Sequence, residues 1–258
     1  MTKDFNDIYN ETYLNFYNMC NQKELISNNP IPYILKEDAK TIGEYKNGTI
    51  IVQNNLASKS DINIIKSTLC HEFTHYYDEN VFRNCGYLEK DIEILMLTFS
   101  EIHASYNSIF AFFNINNSSI NNRIKMDKVV YNGYKLSQLC NSNVNSFINK
   151  MNNILGFKYS MYLLGEKRAM LKISSNPIEI NRIYSNTKIP RLIRDEIIAI
   201  DKMVIFDSPQ NIDISELNIY KLKAETELMK NSIDNLKPLP HIEGMDEINN
   251  FLNSLKAN

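Results

Sequence analysis

No apolar run in this chain approaches the roughly 20 residues that a bilayer-spanning helix needs. The longest, such as 109–113, fall far short, so no membrane span is expected. Residues 1–13 mix acidic and basic side chains without an apolar stretch, so no conventional secretory signal is expected. Cysteine is sparse: four, at 20, 70, 85 and 140, with no CxxC and no framework spacing. That pattern speaks against a disulfide scaffold and for reduced thiols, which makes the cytoplasm the expected location, with export lacking a cleaved signal left open. Basic residues do not dominate either. Lysine and arginine number 28 against 30 acidic residues, a formal charge of -2, and no basic cluster offsets it. No nucleic-acid partner is expected.

Histidine is scarcest of all, with 4 in 258 residues. Two of them stand in His71-Glu72-Phe73-Thr74-His75, an HExxH pattern. On a helix, residues i and i+4 share a face. His71 and His75 can therefore aim their imidazoles at one point, and zinc accepts such nitrogens about 2.0–2.1 Å away. Glu72, about 100° round the helix, is placed as general base beside the open position of such an ion. Chance gives HExxH on the order of once in a few hundred chains of this composition, so the context must decide. Upstream, Ser58 and Asp61 offer helix N-caps. Ile62, Ile65, Leu69 and Phe73 form an apolar stripe at helical spacing, with His71, His75 and Asp78 on an adjacent strip. The histidines thus border the buried face.

Catalytic zinc sites commonly take three protein ligands, His₂Glu among them. The next helix, expected over 89–113, offers Glu101 and His103. They point about 160° apart, so both cannot serve. Glu101 shares its strip with Thr98, Ala104, Ser105 and Ser108, small residues that permit close helix approach, and it is the preferred third ligand. The bland reading, a solvated helix glutamate, is the commoner fate of any single Glu. Asp78 is a supporting candidate, on an imidazole N–H or through the helix end. His103 or a tyrosine is a candidate for stabilising an oxyanion.

Ahead of this helix, residues 31–35 and 41–52 look extended, with Asn47-Gly48 as a hairpin signal. A hairpin followed by an active-site helix suits a zincin, whose edge strand can pair with a substrate strand. Residues 4–21 read as an amphipathic helix with Phe5, Ile8, Tyr9, Leu14, Phe16 and Tyr17 crowding one side. Beyond the polar stretch 114–119 the pattern is helical almost to the end. Val144, Phe147, Ile148, Met151, Ile154 and Leu155 make a stripe closed by Gly156 as a cap. Residues 159–173 form another helix, Pro190 opens a third, and 215–236 and 245–256 follow. Tyr159, Tyr162 and Glu166 could line a cleft, though packing and surface charge are the commoner roles. The expected organisation is a catalytic core over 1–114 and a helical region over 115–258 that either stands apart or completes the same domain.

Three segments also resemble a known family. Gly48-Thr49-Ile50-Ile51-Val52-Gln53-Asn54-Asn55, His71-Glu72-Phe73-Thr74-His75-Tyr76-Tyr77-Asp78 and Ser100-Glu101-Ile102-His103-Ala104 are similar, in order and separation, to elements of the Atp23-type zinc metallopeptidases. These belong to the mitochondrial inner-membrane system and have bacterial relatives. The elements are a strand ending in QN, then HELxHxxD, then SEIRA, and the likeness covers about 43–111. It implies His71, His75 and Glu101 as ligands of one zinc ion, Glu72 as catalytic base, Asp78 as a supporting residue, and a protein or peptide substrate. His103 stands where the family has arginine. Val52 and Phe99 stand where the mitochondrial members often carry cysteine, so their oxidising compartment and substrates are not carried over. The expected fold is mainly α, of α+β type: a zincin-like core with a small antiparallel sheet. The expected activity is zinc-dependent peptide hydrolysis. The rivals are an ImmA/IrrE-like peptidase that cleaves a repressor and a non-catalytic helical binding protein on a zincin fold. A deformylase, which needs an upstream cysteine motif, is disfavoured.

Overall fold

The computed structural model describes residues 4–37, 39, 41–59, 61–115, 123–151, 156–185, 198 and 200–202. The expected helices from Pro190 onward fall almost wholly outside these residues. The protein is mostly helical with a small mixed sheet.

Helix α1 (Phe5–Met19) buries Phe5, Ile8, Tyr9, Thr12, Tyr13 and Phe16. Tyr13 lies on this face and Leu14, 55 % exposed, does not; the helix rotates 100° per residue and cannot bury both. Strands β1 (Tyr33–Lys36), β2 (Gly43–Lys46) and β3 (Thr49–Gln53) form a sheet in the order β1-β3-β2. The β2–β3 pair is antiparallel across Asn47 and Gly48, both at positive φ (49° and 74°) as a tight two-residue hairpin requires. The sheet is not antiparallel throughout, because β1 pairs parallel to β3. The cause is burial: Ile50 and Val52 make β3 the most apolar strand and the centre, and β1, which runs in its direction, joins its far side. The hydrophilic β2 is left as the edge beside the next long helix.

A short α2 (Asn54–Lys59) follows, and the Ser58 hydroxyl is spent inside it on the Asn54 carbonyl. Asp61 alone caps α3 (Ile62–Asn84), its carboxylate accepting the Asn63 N–H at 2.7 Å. Phe73 of α3 is set among the rings of Tyr9, Tyr13 and Phe16, at centroid distances of 5.2, 5.0 and 5.8 Å, which fixes α1 across α3.

The expected helix over 89–113 is interrupted. Helix α4 (Glu89–Leu95) passes through a π-helical turn at Met96–Ser100 into α5 (Glu101–Phe112). After it comes a hairpin that helical periodicity had hidden: β4 (Val129–Tyr131) and β5 (Tyr134–Lys135) turn at Asn132-Gly133, both at positive φ. Helix α6 (Leu136–Met151) buries Val144; the rest of the expected stripe lies outside the described side chains. Gly156 opens α7 (Gly156–Ile173) rather than closing α6, and α8 (Pro177–Ser185) follows.

Helix α5 is packed against α3 on one side and α7 on the other. Gly165 makes the second contact close: a Cβ there would lie 2.2 Å from the Ile102 carbonyl oxygen and 2.7 Å from Ser105 Cβ. A glycine is needed because backbone meets backbone. Among the described residues, no helix is long and apolar enough to cross a membrane.

Candidate metal centre

The 23 residues of α3 carry His71, Glu72, His75 and Asp78, all but His71 buried. Helix α5 begins at Glu101, buried as well. Where these two helices cross, His71 Nε2, His75 Nε2 and Glu101 Oε2 come together. The nitrogens are 3.2 Å apart, and Oε2 is 3.4 Å from the first and 3.6 Å from the second. Four donors held tetrahedrally at zinc's bond lengths would be spaced about 3.3 Å from one another. The three observed separations fit that spacing. Among the described residues this is the group of histidine, cysteine and acidic side chains that could hold a metal ion.

Two further observations favour a cation there. Glu101 Oε2 is buried and has no hydrogen-bond partner, which is costly for a carboxylate oxygen unless a ligand supplies the missing interaction. His75 is oriented from behind, since its Nδ1 lies 2.8 Å from Ser100 Oγ. A proton on Nδ1 donated to that hydroxyl leaves the Nε2 lone pair facing Glu101, as ligation requires. The residues therefore fit a divalent ion; the identity of the ion does not follow from them alone.

Charge in the cluster is balanced by Lys158 of α7, whose Nζ lies 2.8 Å from Glu101 Oε1. Burial alone would raise the Glu101 pKa, but Lys158 first, then His75 and His71, hold it well below the usual carboxylate range. Burial would likewise lower His75, yet Glu101 and then Glu72 outweigh it and raise it. Tyr162, one turn beyond Lys158, sets its ring edge-on to His71 at 5.3 Å. Burial foremost, and the Glu101 charge next, push its hydroxyl pKa up, so it stays protonated.

Glu72 faces the sheet side of the cluster. Its Oε2 accepts the Tyr45 backbone N–H of edge strand β2 at 2.7 Å. Gly43 permits this approach, since a Cβ there would be 2.7 Å from Thr68 Cγ2 and 3.1 Å from Glu72 Cγ. Tyr45 also donates from its hydroxyl to Glu79 at 2.5 Å, pinning β2 to α3 at two points.

The remaining predicted residues form a second pair. His103 Nδ1 lies 2.8 Å from Asp78 Oδ1, with the imidazole between Tyr77 and Phe99. Asp78 thus supports an imidazole, that of His103 and not that of His71 or His75. Glu166 is elsewhere: it is buried between α6 and α8, accepting from Tyr184 and Asn143. Sequence reasoning missed Ser100 as a partner of His75, and it missed Lys158 entirely. A lysine 57 positions beyond Glu101 gives no local signal until α7 is known to pack on α5.

Comparison of the chain with protein-family models, with curated proteins and with solved structures gives no match. The geometry therefore carries the functional argument.

Proposed function

We propose that this protein is a zinc-dependent peptidase that hydrolyses peptide bonds in a protein or peptide substrate. The observation that carries the reading is the convergence of His71 Nε2, His75 Nε2 and the unpartnered Glu101 Oε2 at tetrahedral spacing. His₂Glu is a ligand set typical of catalytic rather than structural zinc, because it leaves a position open. When bound, the ion supplies Lewis acidity, acidifying water and polarising a carbonyl.

The chain's own groups divide the remaining work. His71, His75 and Glu101 hold the ion, and Ser100 fixes the ring orientation of His75. Glu72 takes a proton from the attacking water and returns it to the leaving amine nitrogen. Its Oε2 is anchored on the Tyr45 N–H, which leaves Oε1 as the oxygen that moves the proton. The outward backbone groups of edge strand β2 other than the Tyr45 N–H, which Glu72 occupies, pair with an extended substrate, bringing the scissile amide alongside Glu72. Tyr162 keeps its proton and is a donor for the developing oxyanion. Four unpaired cysteines, three of them buried, suit a reducing compartment such as the cytoplasm.

Glu72→Gln separates this reading from a binding protein on the same scaffold. The variant is expected to keep one zinc per chain and to lose proteolysis by at least about a hundredfold, scored by labelling new N-termini in a digested cell lysate. Wild-type cleavage by a fully zinc-loaded variant would sink the mechanism.

A further inference from the structure

Glu101 has two oxygens in two different situations. Oε2 faces the histidine nitrogens with no hydrogen-bond donor, and Oε1 is 2.8 Å from the ammonium of Lys158. The carboxylate belongs to the interior, 5 % exposed, and the lysine is partly buried at 29 %. The lysine is also held on its other side, its Nζ 5.4 Å from the Tyr162 ring centroid. A fixed cation thus occupies half of a carboxylate whose other half is aimed at the ligand cluster.

Resting on the metal-site reading above, we propose that Lys158 is a positioning residue. It is the permanent counter-ion of Glu101, restricting the carboxylate to one-oxygen ligation through Oε2 and weakening ion binding. Two effects act in the same direction. Without an ion, Glu101 would be a buried carboxylate lacking a cation, and Lys158 relieves that cost. With an ion, the ammonium and the divalent cation share one carboxylate and repel each other where solvent screens poorly. Lys158 therefore stabilises the ion-free site and opposes the ion-bound one. What the site gains is a lower coordination number and a more electrophilic ion, since Glu101 cannot donate fully from both oxygens.

The rival account is that Lys158 merely orients Glu101, in which case its removal loosens the ion by roughly 10–100-fold. The two accounts predict opposite signs. The test compares wild type, Lys158→Met and Lys158→Arg, each stripped by chelator, titrated with Zn²⁺ against a chromophoric chelator and with Co²⁺ by visible absorption. The expected result is Zn²⁺ bound roughly tenfold tighter or more by Lys158→Met, with weaker cobalt d–d bands reporting a fifth donor. Zn²⁺ should also raise its melting temperature more than that of wild type, because its ion-free form melts lower. Lys158→Arg should resemble wild type. Unchanged or weaker Zn²⁺ binding by Lys158→Met would overturn the proposal and leave the peptidase reading standing. Should that variant fold only when loaded, the same decision is read from its Zn²⁺ release rate, which must be slower than that of wild type. A wild-type chain that binds neither Zn²⁺ nor Co²⁺ would overturn both.

Discussion

Ser100 is a small side chain placed to orient His75, one of the proposed metal ligands. Its hydroxyl is the partner of His75 Nδ1, and both groups are buried, so no water replaces it if it is removed. Ser100→Ala is expected to weaken Zn²⁺ binding by about 10–100-fold, because the imidazole loses the contact that fixes its ring orientation. Competition titration would read this, and unchanged affinity would show that Ser100 merely fills space. Placements that follow from spacing were legible in the sequence. His71 and His75 must share a face at i and i+4 whatever surrounds them. Glu101 was distinguished from His103 by its strip of small neighbours, and Ala104 and Ser105 are indeed buried beside it. Roles that depend on a distant element were not legible. Lys158 meets Glu101 only because two helices far apart in the chain pack together, and an isolated lysine on a helix usually reads as a solvated face.

At the scale of elements, the decisive pieces are a turn and a glycine. The π-helical turn at Met96–Ser100 ends just before Glu101. Such a turn inserts about one residue into the helix and so rotates all that follows by roughly 100°. Ile92, Ile94 and Leu95 therefore bury against one set of neighbours while Glu101 still faces α3. Nothing in the local sequence announces it, since neither proline nor glycine lies within 89–113. Gly165, by contrast, has a measurable consequence. Replacing a helical glycine with alanine ordinarily stabilises by about 0.8–1.0 kcal/mol. Here the added methyl would sit 2.2 Å from the Ile102 carbonyl oxygen, and backbone on both sides cannot give way. Gly165→Ala is expected to destabilise by about 1–3 kcal/mol, overpacking outweighing propensity. Denaturant unfolding checks the sign: a stabilised variant would mean that α7 does not approach α5 this closely.

For the molecule as a whole, the mainly helical character and the first hairpin followed from periodicity and from Asn47-Gly48. The place of β1 beside β3 did not, since strand order depends on which strand is most deeply buried once all are paired. The second hairpin carried the same Asn-Gly signal at 132–133, lost beneath the helical pattern around it. Global stability should respond to pH through a group outside the metal centre. Glu166 is buried against Tyr184 and Asn143, and burial raises its pKa although both partners lower it. In the folded chain it therefore keeps a proton to higher pH than it does when unfolded. Over that window the unfolded chain binds fewer protons, so stability falls as pH rises. The contribution is complete below the ordinary glutamate range and is lost as pH passes through the raised value. Glu101 works the other way: its lowered pKa gives stability at neutral pH that is lost in acid. Glu166→Gln keeps an acceptor for Tyr184 and Asn143 but cannot ionise. Relative to wild type its melting temperature should rise as pH increases above the ordinary glutamate range, and comparing the two chains at each pH cancels the titration of Glu101 and the histidines. Parallel melting profiles would mean that Glu166 ionises equally well in both states, and that its pairing with Tyr184 is no more than a surface contact.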